Sequence, residues 1–142
     1  MIYISFINND SEPILQHKLL LKKFIAKLFK NEKTALSSLT YIFCSDDYLL
    51  QVNRSFLKHD YYTDVITFNF NEPKKPIEGE VYISVDRVKE NAKDLKTSFK
   101  KELHRVIFHA ALHLCGYKDK IKQDIILMRL KEDEYLEKYF TK

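Results

Sequence analysis

The feature that most constrains this chain is an apolar helical segment that carries two histidines and ends at a glycine. His109 and His113 stand four residues apart and therefore share one face of a helix. Gly116, one of two glycines in the chain, stands where a helix commonly ends in a left-handed residue, so that the chain can turn and bring Asp119 to the imidazoles. Apolar neighbours predict that the helix is largely buried: Leu103, Val106, Ile107, Leu112 and Leu114.

These three polar residues have the chemistry of a metal site. Two neutral imidazoles and a carboxylate are typical of catalytic zinc, with one coordination position left open for water. A His-x-x-x-His pair alone more often marks packed or surface histidines, but a glycine and then a third donor at three-residue intervals follow the metzincin spacing. The pattern predicts a metal-dependent hydrolase with one Zn²⁺ per chain, held by His109, His113 and Asp119. The ligand types leave nickel, iron and manganese open.

The same segment resembles the signature of the YbeY family of rRNA maturation endoribonucleases, His-Gly-x-Leu-His-Leu-x-Gly-Tyr-Asp-His. Six positions match it as they stand: His109, Leu112, His113, Leu114, Gly116 and Tyr117. Three positions depart, with Ala110 in place of a glycine, Lys118 in place of an aspartate and Asp119 in place of the third histidine. Because aspartate also binds zinc, the resemblance implies a site that is kept with a more anionic ligand set.

Two further stretches resemble this family. Residues 60–68 are similar to its Asp-x-x-Thr-Asp-Val-Leu-Ser-Phe segment, and residues 79–84 to its Gly-Asp-Ile-x-Ile-Ser strand. Many members carry an arginine three residues before the first segment, thought to serve RNA binding or catalysis, and Leu57 stands there in this chain. Nearby cations are candidate RNA contacts, although an exposed polar turn is the more ordinary role for each: Arg54, Lys58 and His59.

The resemblance implies an endoribonuclease that acts in 16S rRNA 3′-end maturation and ribosome quality control through a zinc-activated water. Its implied partners are ribosomal RNA and the small ribosomal subunit, with no DNA. No residue of the sequence is an obvious general base, so the group that accepts the proton of the attacking water stays open.

Two alternatives remain. A metalloprotease of this spacing places a general-base glutamate directly after the first histidine, where this chain has Ala110. A non-catalytic ribosome-assembly factor with a structural metal would want a fourth protein ligand. His104 lies about 140° around the helix from His109, and Cys115 is expected to face away from both histidines. Three ligands and an open position therefore favour catalysis.

Composition sets the wider limits. The chain has 142 residues, which predicts one domain over residues 1–142, and its 45% hydrophobic content argues against disorder. A net charge of +4 permits an anionic partner such as RNA without requiring one. Two cysteines suit a reducing compartment, and no apolar run is long enough for a membrane span. The apolar residues 1–7 resemble a strand more than a signal peptide, so we expect a cytoplasmic protein without membrane contact.

The remaining pattern predicts secondary structure. Residues rich in β-branched and aromatic side chains predict strands at 1–7, 39–44, 63–70 and 79–85. Helical periodicity and capping residues predict helices after Ser11, at 45–57, at about 86–96, after Ser98, and beyond Asp119 through Ile121, Ile125 and Met128. Because strands and helices do not alternate regularly, the pattern predicts an α+β fold, with one mixed four-stranded sheet packed with about five helices.

Overall fold

The computed structural model describes residues 1–141, so the last residue of the predicted 1–142 domain lies outside it. Four strands and five helices are present within these residues. In chain order they are β1 (Tyr3–Asn8), α1 (Lys18–Asn31), β2 (Leu36–Cys44), α2 (Asp46–Leu57), β3 (Val65–Asn69), β4 (Ile77–Ser84), α3 (Val85–Asp94), α4 (Phe99–Leu114) and α5 (Lys122–Phe140).

The strands form one mixed sheet in the order β1-β2-β4-β3. The pairs β1–β2 and β2–β4 are parallel, whereas β3 runs antiparallel to β4 and forms one edge. The predicted α+β architecture, a mixed four-stranded sheet with five helices, is therefore confirmed. Within residues 1–141, none of the helices combines the length and the apolar character needed to cross a membrane.

Helix α4 lies at the centre of the main core. Its residues Ile107, Phe108 and Ala111 are fully buried in one cluster with side chains of β2 and β4. The hydroxyl of Tyr41 on β2 donates a hydrogen bond of 2.9 Å to the carbonyl oxygen of Ile107, so the helix is also bonded to the sheet. Helix α2 covers part of the opposite sheet face, where a smaller cluster contains Leu49, Val52, Cys44 and Ile66.

Glycine permits a close approach between β4 and the end of α4. A Cβ atom built at Gly79 would stand 3.0 Å from Leu39 Cδ1 and 3.1 Å from Leu114 Cδ1, closer than ordinary van der Waals contact. The missing side chain therefore sets how closely the last turn of α4 sits on the sheet.

One detail of the predicted helices is wrong. Helix α1 begins at Lys18 and not after Ser11, because the Ser11 hydroxyl donates to the Phe43 carbonyl oxygen (3.2 Å) instead of capping a helix. In α5, Ile121 and Ile125 are 59% and 47% exposed, and the buried face begins at Met128. The predicted cap at Ser98 is confirmed, since its hydroxyl accepts the backbone N–H of Lys101 at 3.0 Å.

Helices α1 and α3 end in left-handed residues that are lysines where glycine is usual. Lys33 and Lys96 both have φ of 56°, and the next residue of each closes the helix with a backbone hydrogen bond, Thr34 to Phe29 (2.9 Å) and Thr97 to Ala92 (3.0 Å). A Cβ atom in this conformation costs roughly 1–2 kcal/mol. Both helix ends therefore carry backbone strain that glycine would remove.

We expect Lys96→Gly to raise the free energy of unfolding by about 1 kcal/mol, because the relief of left-handed strain exceeds the greater unfolded-state entropy of glycine. Urea denaturation followed by circular dichroism measures the change. The control is Lys89→Gly at an exposed position inside α3, which should lower stability by about 1 kcal/mol. Equal destabilisation by the two substitutions would contradict the strain at residue 96.

Candidate active site

The predicted ligands line one cleft beside the edge strand β3. The cleft has a volume of about 340 Å³ and is lined by His109 and His113 from α4, by Asp119 and Lys120 from the turn before α5, and by the start of β3. Further lining residues come from α2 and the segment that follows it: Asn53, Leu57, His59, Tyr61, Thr63 and Asp64. The structure therefore places all three predicted ligands in the lining of one cleft.

The turn after α4 explains how Asp119 reaches the histidines. Gly116 has φ of 108°, and its N–H donates to the His113 carbonyl oxygen at 3.0 Å. The N–H of Tyr117 donates to the Leu112 carbonyl oxygen at 3.1 Å, which completes a Schellman motif. No atom lies within 4 Å of a Cβ built at Gly116, so this glycine is required by backbone conformation and not by space. The chain then reverses toward the cleft.

His109 is held by carboxylates at both ring nitrogens. Its Nδ1 is 2.6 Å from Glu132 Oε2, and its Nε2 is 3.2 Å from Asp119 Oδ2. An ionised carboxylate only accepts hydrogen bonds, so the Glu132 contact places the proton on Nδ1 and leaves the Nε2 lone pair facing Asp119. Two acceptors at this distance require a cation between them or a proton on Nε2. Two ligands of a tetrahedral zinc ion stand roughly 3.4 Å apart, which suits this pair.

His113 is oriented in the same way by a backbone group. Its Nδ1 donates to the Tyr117 carbonyl oxygen at 3.1 Å, so Nε2 is the nitrogen that keeps a lone pair for a ligand. Metal-binding histidines commonly donate their second ring N–H to a carboxylate or a carbonyl oxygen, as both histidines do here. The donor set therefore fits a divalent metal in its chemistry. Within residues 1–141, however, no three His, Cys, Asp or Glu side chains stand close enough together to hold one as they are placed.

Glu132 on α5 is a site residue that sequence analysis missed. It is 2% exposed, and its Oε1 accepts a hydrogen bond of 2.9 Å from Arg105, which also pairs with the buried Glu102. Burial raises the pKa of Glu132, but the hydrogen bond from His109 and the charge of Arg105 outweigh burial and hold that pKa below its ordinary value. An ionised Glu132 is therefore available to orient His109.

Asp64 is a second carboxylate that sequence analysis did not single out. It is half-buried in the cleft wall at the start of β3, and its Oδ2 accepts a long hydrogen bond of 3.3 Å from Asn91. Burial raises the pKa of Asp64, and the positive charge of Arg105 offsets only part of that increase. A cleft carboxylate with a raised pKa is suited to accept a proton.

The candidate RNA contacts are placed differently from one another. His59 lines the cleft, stacks on Tyr61 with 5.1 Å between ring centroids and shares a 2.9 Å hydrogen bond with its hydroxyl. Arg54 forms an ion pair with Asp60, and neither Arg54 nor Lys58 is among the residues that line the cleft. Leu57 does line it, and Lys120 adds a cation that sequence analysis did not propose.

The other histidine and the cysteine near the motif lie outside the cleft lining. His104 is 4% exposed, and its Nδ1 donates to the Lys100 carbonyl oxygen at 2.7 Å while its ring packs on Tyr139 and Phe140. Burial lowers the pKa of His104 and keeps the ring neutral. Cys115 lines a separate surface cavity, and burial raises the pKa of its thiol to about 11. The structure thus gives no fourth ligand from either residue.

The chain is similar over most of its length to proteins named endoribonuclease YbeY. The family model with that description matches residues 5–140. A protein of this name from Cytophaga hutchinsonii is 49% identical over 133 residues, which cover 94% of this chain and 93% of the relative. One from Flavobacterium psychrophilum is 45% identical over 119 residues, or 84% of each chain. A solution structure of a Thermotoga maritima protein matches with a TM-score of 0.63 and 29% identity, over 99% of this chain and 90% of that one.

We expect Glu132→Gln to weaken zinc binding 10–100-fold, because the amide lacks the charge that fixes the His109 proton on Nδ1. Titration against a chromophoric chelator measures the affinity. The control is Glu137→Gln at an exposed position of the same helix, which should leave the affinity within about twofold. An unchanged affinity in Glu132→Gln would contradict the role of Glu132 in orienting His109.

Proposed function

The chain belongs to the YbeY family of endoribonucleases, and from this premise we propose that it hydrolyses phosphodiester bonds of ribosomal RNA at a zinc site formed by His109, His113 and Asp119. One observation carries the proposal. Nε2 of His109 lies 3.2 Å from Asp119 Oδ2 while its Nδ1 is committed to Glu132, an arrangement that a bound cation stabilises.

A zinc ion bound here would lower the pKa of a water molecule and neutralise negative charge on the phosphoryl oxygens. The chain's own residues prepare that site. Glu132 and the Tyr117 carbonyl oxygen each accept a hydrogen bond from Nδ1 of one histidine, which directs Nε2 of both rings toward a metal. Glu132 is buried, but its hydrogen bond from Arg105, which also pairs with Glu102, keeps it ionised.

We assign to Asp64 the role of accepting the proton of the attacking water. Among the residues that line the cleft, it is the carboxylate outside the proposed ligand set, and none of the ion pairs within residues 1–141 involves it. Ala110, the position at which metalloproteases of similar spacing carry a glutamate, has no group that accepts a proton. This arrangement and the family favour RNA over peptide as the substrate.

Binding of RNA rests on few cations inside the cleft. His59 and Lys120 line it, whereas the nearby Arg54 is neutralised by Asp60. Leu57 offers no charge to a phosphate. The stacked rings of His59 and Tyr61 supply an aromatic surface on which an unstacked base of single-stranded RNA can lie.

The family supports an RNA substrate. We propose that this substrate is the 3′ end of 16S rRNA on the small ribosomal subunit, with a further role in ribosome quality control. The alternative is an assembly factor that binds the ribosome and uses the metal only structurally. The open cleft beside the three donors favours catalysis, because a structural zinc site is usually closed by a fourth protein ligand.

We expect purified wild-type protein to bind one zinc ion and to cleave rRNA, and His113→Ala to lose both, because two donors do not hold zinc in a catalytic geometry. Elemental analysis and cleavage of 16S precursor RNA or of small subunits measure the two properties. Asp119→His is the matched control. It replaces one metal donor by the histidine that the family uses at this position, and it should retain the metal. Metal without cleavage of either substrate would support the assembly factor, and a wild type that holds no metal after reconstitution would overturn the zinc mechanism.

We expect Asp64→Asn to lower kcat for RNA cleavage by about 10²-fold or more while zinc content stays that of the wild type, because the amide cannot accept a proton. Single-turnover cleavage across a pH series provides the measurement. Asp60→Asn, on the same segment but largely exposed, serves as the control and should change kcat little. Full activity in Asp64→Asn would exclude Asp64 as the proton acceptor.

A further inference from the structure

A carboxylate outside the cleft, Glu32, joins three parts of the fold. It follows the last residue of α1, and its side chain is 11% exposed. One oxygen, Oε1, accepts a hydrogen bond of 2.7 Å from the hydroxyl of Tyr117 in the turn after α4. The other oxygen, Oε2, accepts the hydroxyl of Tyr135 on α5 and lies 3.6 Å from Lys131 Nζ. The two tyrosines that bind this carboxylate lie 85 and 103 positions away in the sequence, so both of its oxygens are used by distant parts of the chain.

The position of Glu32 is not explained by α1 itself. Glu32 caps the C-terminal end of α1, where the helix dipole presents partial negative charge and a carboxylate is disfavoured. The backbone N–H of Glu32 closes the helix by donating to Leu28, which any residue other than proline could do. The carboxylate therefore serves its long-range partners, the two tyrosines and Lys131.

Tyr117 connects Glu32 to the proposed metal ligands. Its backbone N–H donates to the Leu112 carbonyl oxygen, its own carbonyl oxygen accepts from His113 Nδ1 at 3.1 Å, and its hydroxyl donates to Glu32. Three separate groups of one residue are thus fixed. Asp119 follows two residues later in the same turn.

We propose that Glu32 is a positioning residue for the metal site. Its hydrogen bond to Tyr117 holds the turn of residues 115–119 so that the Tyr117 carbonyl oxygen keeps the His113 proton on Nδ1 and Nε2 faces the cleft. This inference rests on the proposed function in taking His113 and Asp119 as ligands. Glu32 is not among the residues that line the cleft, and the hydrogen bonds and ion pair of its carboxylate are with Tyr117, Tyr135 and Lys131 rather than with a proposed ligand.

Substitution of the two tyrosines can distinguish a positioning role of Glu32 from a purely structural one. Each donates one phenolic hydrogen bond to the same carboxylate, but Tyr117 belongs to the metal-ligand turn and Tyr135 belongs to α5. Tyr117→Phe and Tyr135→Phe therefore remove equivalent bonds from Glu32. If the carboxylate only fastens α1 to the rest of the fold, the two variants should behave alike.

The test uses the full chain as wild type, Tyr117→Phe, Tyr135→Phe and Glu32→Gln. Zinc affinity is measured by competition with a chromophoric chelator, and the His113 tautomer by the ¹⁵N shifts of its ring in zinc-free protein. We expect Tyr117→Phe to weaken zinc binding about tenfold and to populate both His113 tautomers. Tyr135→Phe should match the wild type in both readouts. Glu32→Gln should follow Tyr117→Phe, and if it fails to fold the tyrosine pair still decides.

Either of two results would overturn the proposal: a Tyr117→Phe variant with wild-type affinity and tautomer, or equal changes in both tyrosine variants. A wild type that binds no zinc would refute the proposed function instead. In that event the zinc-free tautomer measurement still decides whether Glu32 positions His113 through Tyr117.

Discussion

The half-buried guanidinium of Arg105 is the interaction on which the site depends. It lies between Glu102 on its own helix and Glu132 on α5, both of which are nearly inaccessible to solvent. Breaking a buried ion pair by removing one partner costs roughly 3–5 kcal/mol, because a charge is then left without compensation. The same Glu132 orients His109, so the contact that joins α4 to α5 also defines which imidazole nitrogen is available at the cleft. Glu132 therefore serves both the packing of α4 against α5 and the orientation of His109.

The features predicted correctly from sequence depend on local geometry. The period of the helix places His109 and His113 on one face, and a glycine three residues later reverses the chain, whatever the rest of the fold does. The cap at Ser98 and the four strands follow from short-range patterns in the same way. Local rules failed where the long-range partner of a residue mattered more. Ser11 has the composition of a helix cap, but its hydroxyl is used by the Phe43 carbonyl oxygen on β2.

The three carboxylates that sequence analysis missed contact partners that lie far away in the sequence. Glu132 lies 23 positions after His109 on a helix whose other acidic residues are largely exposed, so nothing in its neighbourhood marks it as buried. Asp64 and Glu32 are likewise defined by partners that only the fold brings near, Asn91 and Tyr117. The pairing of Arg54 with Asp60 likewise depends on how the segment after α2 bends. Such contacts have no periodicity to detect.

Both glycines of the chain serve the same end of one helix. Gly79 makes room in the sheet for Leu114, the last residue of α4, and Gly116 turns the backbone just beyond it. A methyl group added to Gly79 would press on Leu114 and so displace the turn that carries Asp119, although Gly79 lies near the start of β4 and outside the cleft lining. The geometry of the histidine motif thus depends on a residue of β4 that is remote in sequence. Substitutions that the motif can tolerate are therefore limited by the sheet as well as by the motif itself.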